Sequence, residues 1–155
     1  MASEFETMFI TAGDKPALVG CSNPERVDAA KRMLRELGYK IHAVTSHADF
    51  IARFSRIRYE VVILEELFAA EKAEENLSLM ALQKMSMNMR RHAVIILVGD
   101  GFKTYDAMQA FQKSVHVVIN NADISMLKHL TEKTLAENEI FLHSYREVQA
   151  HMARL

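Results

Sequence analysis

The chain has 155 residues, of which 50% are hydrophobic and 25% are charged, and its formal net charge is -1. This length supports one domain with a sizeable core. The nearly balanced charge argues against a general nucleic-acid binder and against a protein that binds anionic membranes, because both usually need a basic surface.

Cysteine usage and hydropathy set two further bounds. Cys21 is the only cysteine, so no disulfide can form within the chain. No apolar stretch approaches the roughly 18 residues that a membrane-spanning helix needs. The N-terminus, MASEFETMF, carries acids and lacks the basic-then-apolar pattern of a signal peptide. We therefore expect a cytoplasmic protein that does not enter the membrane.

The first predicted elements follow an irregular start. Residues 1–15 show no clean hydrophobic period, although Phe5, Met8, Phe9 and Ile10 could pack somewhere, and we predict a leader or the remnant of a linker. Residues 17–21 predict a short buried strand. Asn23 and Pro24 then suit the start of a helix, and Gly38 suits its end.

The second and third strands are predicted at residues 39–45 and 59–64, on either side of a helix that Ser46 caps. The third strand contains four consecutive apolar β-formers and ends on two acids, Glu65 and Glu66. A buried strand that ends on paired acids often marks a site. The apolar face of the intervening helix is predicted to be Phe50, Ile51, Phe54 and Ile57.

The second half repeats the alternation of helix and strand. Residues 68–75 are predicted as a loop, residues 93–98 and 115–119 as strands, and residues 104–113 as a short helix. The uniformly apolar AVIILV segment is typical of a sheet that is covered on both faces. Asp123 is predicted to cap the final helix. Before the fourth strand, a helical face is predicted from Leu77, Met80, Ala81, Lys84 and Met85.

Five strands that alternate with helices through short connections predict a parallel sheet with helices on both faces. Crossover connections between parallel strands are right-handed, so few topologies remain. The predicted fold class is therefore α/β, a flavodoxin-like, doubly wound sheet of five parallel strands with an extended C-terminal helix.

The order and spacing of these elements resemble a known family. The segments ALVGCSNPERVDAAKRMLRELGY, YEVVILEELF, AVIILVGDG and VHVVINNAD resemble the CheY-like receiver domain of two-component response regulators. The resemblance covers residues 16–137. It implies a receiver-like domain there, a leader at residues 1–15 and a helical extension at residues 138–155.

The functional positions that the resemblance implies have lost their usual residues. In the family, an acid pair and a phosphoacceptor aspartate bind a divalent metal, and a hydroxyl and a lysine contact the phosphoryl group, which is the chemistry that phosphoryl transfer needs. These positions fall on Cys21 and Ser22, on Glu65, on Val98 and on Asn120. The chain thus resembles a degenerate receiver, with no metal site, no cofactor and no enzymatic activity expected.

Two residues at this edge admit more than one interpretation. Glu65 could mimic a permanently phosphorylated aspartate, or Glu65 and Glu66 could be solvated acids near the positive N-terminus of a neighbouring helix. The second interpretation is favoured because the hydroxyl and the lysine that would read the charge are absent. Cys21 precedes a helix N-terminus, which can make a thiol reactive, but packing as a small apolar residue is favoured.

The last predicted helix is the largest departure from the receiver pattern. Apolar residues continue beyond residue 137 at steps of 4, 3, 4 and 3, which is the repeat of a helical seam. This stripe either folds back onto the domain or forms a seam with a second chain, and the sequence leaves both open. Its members are Phe141, Tyr145, Val148, Met152 and Leu155.

The resemblance also implies a working surface, because receivers commonly pair through their fourth helix, fifth strand and fifth helix. Here that face is residues 104–137, which include Tyr105, Met108 and Phe111, with the stripe from Phe141 to Leu155 added to it. We expect a phosphorylation-independent protein-interaction module in bacterial signalling, with a protein partner that could be a second copy. The alternatives are a small-ligand sensor in the remodelled pocket, an atypical phosphoreceiver that uses Glu65, and a small flavodoxin-like enzyme.

Overall fold

A computed structural model describes residues 9–155 of the chain. The prediction made for Phe5 and Met8 lies outside these residues. The strands are β1 (Pro16–Gly20), β2 (Lys40–Val44), β3 (Val61–Glu65), β4 (Val94–Gly99) and β5 (Val117–Asn120). The helices are α1 (Pro24–Glu36), α2 (His47–Arg56), α3 (Leu77–Lys84), α4 (Met87–Arg90), α5 (Ala107–Lys113) and α6 (Leu127–Ala153).

The five strands form one parallel sheet in the order β2-β1-β3-β4-β5. The order reverses after β2, so the C-terminal ends of β1 and β3 lie side by side at one edge of the sheet. This confirms the predicted doubly wound fold class. The register pairs Glu65 at the end of β3 with Val98 in β4.

A helical layer covers each face of the sheet, because the strands are apolar on both sides. On one face, α1 and α6 pack through residues such as Leu34 and Leu130. On the other face, α2, α3 and α5 pack through residues such as Phe50, Leu79 and Ala110. The central strands β3 and β4 are buried along their whole length, which agrees with their continuous apolar sequence.

The local signals for helix ends are confirmed where they were predicted. The side chain of Asn23 accepts hydrogen bonds from the first turn of α1, and that of Ser46 accepts one from Asp49 at the start of α2. Gly38 follows α1 with a φ of 85°, a left-handed conformation that favours glycine.

The predicted apolar face of the third helix is wrong. Leu77 is exposed at its start, and the buried residues are Ser78, Leu79 and Leu82. Asn76 caps this helix by accepting a hydrogen bond from the Leu79 amide, which rotates the first turn so that Leu77 faces solvent. The helix has only eight residues, which is too short for its period to be read reliably from sequence.

The predicted cap of the last helix is also wrong. The carboxylate of Asp123 accepts a hydrogen bond from the Thr104 hydroxyl, and the side chain of Asn120 caps the 3₁₀ turn Asn121–Met126 instead. Helix α6 then begins at Leu127 and continues through residue 137 to Ala153 without a break. Among residues 9–155, no helix is long and apolar enough to cross a membrane.

Candidate functional site

Glu65 lies at the C-terminal end of β3 and is only 6% exposed. Its Oε1 accepts a hydrogen bond from the backbone N–H of Ser22 at 3.3 Å, and its Oε2 accepts one from Nη1 of Arg26 at 3.4 Å. The prediction that Glu65 is a solvated acid is therefore wrong. Arg26 supplies the counter-charge that lets the carboxylate remain in the protein interior.

The start of α1 explains this arrangement. Ser22 immediately precedes the helix cap Asn23, and Arg26 lies in the first turn of α1. The positive end of the helix dipole therefore faces the carboxylate, as one of the sequence-based interpretations expected. The Arg26 side chain is 24% exposed and reaches the carboxylate from the protein surface. Sequence reasoning missed Arg26 because its partner lies 39 residues further along the chain.

Cys21 and Ser22 follow β1 at this edge, at the positions where the resemblance implies an acid pair, and neither side chain is a carboxylate. The Ser22 hydroxyl accepts a hydrogen bond at 2.8 Å from the backbone N–H of Ala69, a residue with a positive φ of 47°. Ser22 thereby holds the loop after β3. Cys21 is 4% exposed, and its burial, together with the negative charge of Glu65, raises the pKa of the thiol to about 12.

The Cys21 thiol is expected to be inert in the folded protein. The raised pKa lowers the thiolate fraction at pH 8, and the thiolate is the reacting species. Alkylation by iodoacetamide, followed by mass spectrometry, should be roughly tenfold or more slower than in the same chain in guanidinium chloride. Equal rates in the two conditions would contradict the buried, packing role of Cys21.

Val98 and Asn120 lie at the hydroxyl and lysine positions but do not face Glu65 with polar groups. Val98 is buried and contributes its carbonyl to the Glu66 N–H at 2.7 Å. The Asn120 side-chain amide donates to the carbonyls of Asp100 and Phe102 at 3.2 and 2.7 Å. Asn120 therefore holds the loop that follows β4.

Further hydrogen bonds tie the same loop to the turn after β5. The Thr104 hydroxyl donates to Asp123 and accepts from the backbone N–H of Asn120 at 2.9 Å. The Asn121 amide donates to the Asp100 carboxylate at 2.7 Å. The polar groups of this part of the edge thus bond to one another, and they position the loop from which Tyr105 projects.

Glu66 lies apart from Glu65, over the turn after β4. A Cβ at Gly99 would lie 2.8 Å from the Cβ of Glu66, so only glycine leaves room for this side chain. Burial raises the pKa of the Glu66 carboxyl; the positive charge of Lys113 opposes the shift, and the charges of Asp100 and Glu74 add to it. The two glutamates therefore do not form a paired-acid site.

Asn76 is a structural residue at this edge that sequence reasoning did not single out. It is fully buried, and its side-chain amide donates to the carbonyls of both Glu65 and Glu66 at 3.0 Å. Its side-chain oxygen accepts from the Leu79 amide and begins α3. The available signal was an asparagine directly before an apolar helical segment, which is a common cap.

Most polar side chains at this edge are hydrogen-bonded within the protein, while the buried Oδ1 of Asn121 has no partner in residues 9–155. Within the described residues 9–155, no three side chains of the metal-ligating types converge. The single buried carboxylate is already bound to an arginine and to a backbone amide. A divalent cation would need several oxygen ligands at this position.

The predicted interaction surface comes from two segments that meet in the structure. The Tyr105 hydroxyl donates to Glu137 at 3.3 Å, and the ammonium group of Lys133 lies 4.5 Å from the Tyr105 ring centre. These contacts place the loop before α5 beside the middle of α6. Phe111 is 80% exposed, and the other large apolar residues exposed on these segments are Met108, Ile140, Phe141, Val148, Met152 and Leu155.

Tyr145 differs from the rest of the stripe because it is half-buried. The guanidinium of Arg91 lies 4.2 Å from the centre of its ring, and Gln149 donates to its hydroxyl at 2.8 Å. Leu142, one residue beyond Phe141, is buried against the domain. One side of the helical extension therefore packs on the domain, while Phe141, Val148 and Met152 remain exposed.

No family model and no curated protein matches this chain. Several solved structures are similar to it in fold. A CheY-like response regulator receiver domain from Methanospirillum hungatei is 15% identical with a TM-score of 0.62, covering 82% of this chain and 98% of that one. One from Methylobacillus flagellatus is 19% identical with a TM-score of 0.57, covering 79% and 99%.

A third similar structure has an occupied metal site. It is the receiver domain of a sensor histidine kinase from Pseudomonas aeruginosa, with magnesium coordinated in its active-site cleft. It is 17% identical to this chain with a TM-score of 0.59, and the match covers 80% of this chain and 99% of that one. At these identities, the comparisons establish that the chain has the receiver fold.

Proposed function

We propose that this protein is a degenerate receiver that works by binding proteins, without phosphorylation, as a regulatory module in bacterial signalling. The receiver fold supports the signalling role by analogy, since fold alone does not determine function. One observation supports the proposal that Glu65 is not phosphorylated. Both oxygens of its carboxylate already accept hydrogen bonds, one from the Ser22 N–H and one from Arg26. Among the residues that the structure describes, no group of three or more metal-ligating side chains forms.

The proposed partner is a second copy of the chain. We call the exposed apolar residues of two segments the apolar face: Tyr105, Met108 and Phe111 from the loop before α5 and from α5, and Phe141, Val148 and Met152 from α6. Tyr105 joins the two segments through its contacts with Glu137 and Lys133. Large exposed apolar side chains are typical of interaction surfaces. The seam residues of α6 make two heptads, which is short for a coiled coil alone, so the α5 residues would supply the remaining contact area.

Self-association of the full chain tests this proposal. Light scattering after size exclusion should give a dimer, and a Phe141→Ser/Val148→Ser variant should weaken it at least tenfold, which corresponds to about 1.4 kcal/mol. A Tyr105→Ala/Phe111→Ala variant should have a similar effect. Exposed aromatic anchors commonly contribute this much or more to binding.

Ile140→Ser is the matched control on the same helix. Ile140 is 70% exposed and directly precedes Phe141, but it lies on a different side of α6. This variant should dimerise as the unaltered chain does. A monomeric unaltered chain, or equal weakening by Ile140→Ser, would contradict dimerisation through the apolar face.

The atypical phosphoreceiver is tested by adding beryllofluoride and Mg²⁺ and recording amide chemical shifts. No change is expected near Glu65, because its carboxylate already binds Arg26 and the lysine position is an asparagine. Saturable shifts in β3 and β4 would restore the phosphoreceiver and remove the proposal. The ligand sensor at this edge is tested by a thermal-shift screen with nucleotides and metabolites, in which no stabilisation is expected.

A further inference from the structure

A cavity of about 530 Å³ lies at the edge of the sheet opposite to Glu65. It is bounded by the segments that enter β1, β3 and β4 and by the side of α6 that faces them. Its volume is within the usual range of small-molecule sites, about 300 to 1,000 Å³. Val94, Leu135 and Leu142 provide apolar wall, and Arg58, His92 and Asn138 provide polar groups.

The two segments outside the receiver-like part of the chain meet at this cavity. Ile10 and Asp14 come from residues 1–15, and Asn138, Leu142 and Arg146 come from residues 138–155. The similar solved structures cover between 79% and 82% of this chain. Residues 10–14 and 138–146 thus supply part of the cavity wall, and the cavity is not part of the apolar face.

Two of the three acids around the cavity have ionic partners. Asp14 pairs with Lys40 at 3.2 Å, and Glu139 pairs with Arg146 at 3.7 Å. The third acid is Glu60, whose charge adds to burial in raising the pKa of the Tyr39 hydroxyl to about 12. Arg58 differs, because no ion pair involves it anywhere in residues 9–155. A guanidinium with five donors at the wall of a cavity is suited to bind a carboxylate or phosphate group.

Arg58 is exposed at this wall, and His92 is the second side chain there that can donate a hydrogen bond. Both of its ring nitrogens are buried and have no hydrogen-bond partner, and its ring stacks on Phe54 with centroids 5.6 Å apart. Burial, and next the charge of Arg58, lower the pKa of His92, so the ring is neutral at pH 7 with one N–H donor. Buried polar groups without a partner are rare and call for an explanation, such as a ligand.

We propose that this cavity binds a small amphiphilic organic acid. Its anionic head pairs with the Arg58 guanidinium and, after rotation of the imidazole, accepts a hydrogen bond from the N–H of His92. Its apolar body lies along Val94, Leu135 and Leu142. This site is independent of the proposed dimer, because its residues are not those of the apolar face.

The probe for the test is octanoate, which has one carboxylate and an apolar chain. Isothermal titration of the full chain should show saturable binding, and amide shifts should concentrate at residues such as Val94 and Leu142, away from Asn120 at the opposite edge. Octanol and octylammonium, which lack the anionic head, should bind at least tenfold more weakly. Octyl phosphate distinguishes a phosphate from a carboxylate head.

Three variants at two positions identify the residues that bind the head group. Arg58→Gln should weaken octanoate binding at least tenfold, Arg58→Lys should recover part of it, and His92→Phe should weaken binding while retaining the ring stacking. Arg32→Gln, at an exposed position on α1, is the matched control and should bind normally. Circular dichroism checks that each variant is folded.

Three outcomes would overturn this site: no binding of octanoate or octyl phosphate, equal binding of octanol, or unchanged binding by a folded Arg58→Gln variant. A dimer that forms normally while octanoate fails to bind would remove the ligand site and leave the proposed function in place. Octanoate binding by a monomeric protein would support the ligand site and remove the proposed dimer.

Discussion

An Arg26→Leu variant is expected to lose about 2–4 kcal/mol of unfolding free energy, because the Glu65 carboxylate would be left buried without its counter-charge. The loss is smaller than for a fully enclosed pair, since Arg26 is 24% exposed. Urea denaturation followed by circular dichroism measures it. Glu65→Gln should cost less, because the unpaired Arg26 can turn toward water and the Gln side chain still accepts from Ser22.

The double variant makes this prediction specific. Arg26→Leu/Glu65→Gln removes both charges, and it should be more stable than Arg26→Leu alone by about 1–3 kcal/mol. Recovery of this kind would mean that Arg26 and Glu65 are energetically coupled and that the fold does not require a charge at this edge. If the two losses simply add, Glu65 and Arg26 are not energetically coupled in solution. In that case the pairing of Glu65 with Arg26 would no longer support the proposed absence of phosphorylation.

A Gly99→Ala variant is expected to lose about 1–3 kcal/mol, because the added methyl group would overpack a buried turn. The new Cβ would lie 2.8 Å from the Cβ of Glu66, 2.9 Å from its Oε1 and 3.0 Å from the ring of Phe102. These distances are shorter than real side chains adopt, so β4 or the Glu66 backbone must shift. Thermal and urea denaturation measure the loss.

Gly101→Ala is the matched control in the same turn. A Cβ at Gly101 would meet Glu66 oxygens no closer than 3.5 Å, which is an ordinary contact. This variant should lie within about 0.5 kcal/mol of the unaltered chain. A Gly99→Ala variant as stable as Gly101→Ala would show that Glu66 does not lie over Gly99 in solution.

The parts of the fold that the sequence predicted are those that depend on neighbours along the chain. Asn23, Pro24 and Gly38 mark the start and end of one helix, α1. The continuous apolar sequence of the strands indicates that both faces of the sheet are buried. The order of these segments, together with right-handed crossovers, was sufficient for the topology. None of these signals requires knowledge of a distant residue.

The site was less predictable, because its contacts join residues that are far apart in sequence. Glu65 was expected to be solvated, and only the approach of Arg26 from α1 explains its burial. Asp123 was expected to cap α6, but Thr104 takes its carboxylate. The cavity at Arg58 and His92 was not anticipated, because it forms where residues 10–14 meet residues 138–146, which are far apart in sequence.

The all-parallel sheet has a consequence for how the chain folds during synthesis. Neighbouring parallel strands cannot be joined by a tight hairpin, so every pairing must close a long loop first, which slows folding. Residues 16–65 contain β1, β2, β3 and both members of the Arg26–Glu65 pair, so this segment can assemble while the remainder is still being translated. Until β4 arrives, however, β3 exposes an unpaired apolar edge, which is a template for aggregation. Soluble yield should therefore depend on how soon residues 94–99 emerge from the ribosome and dock.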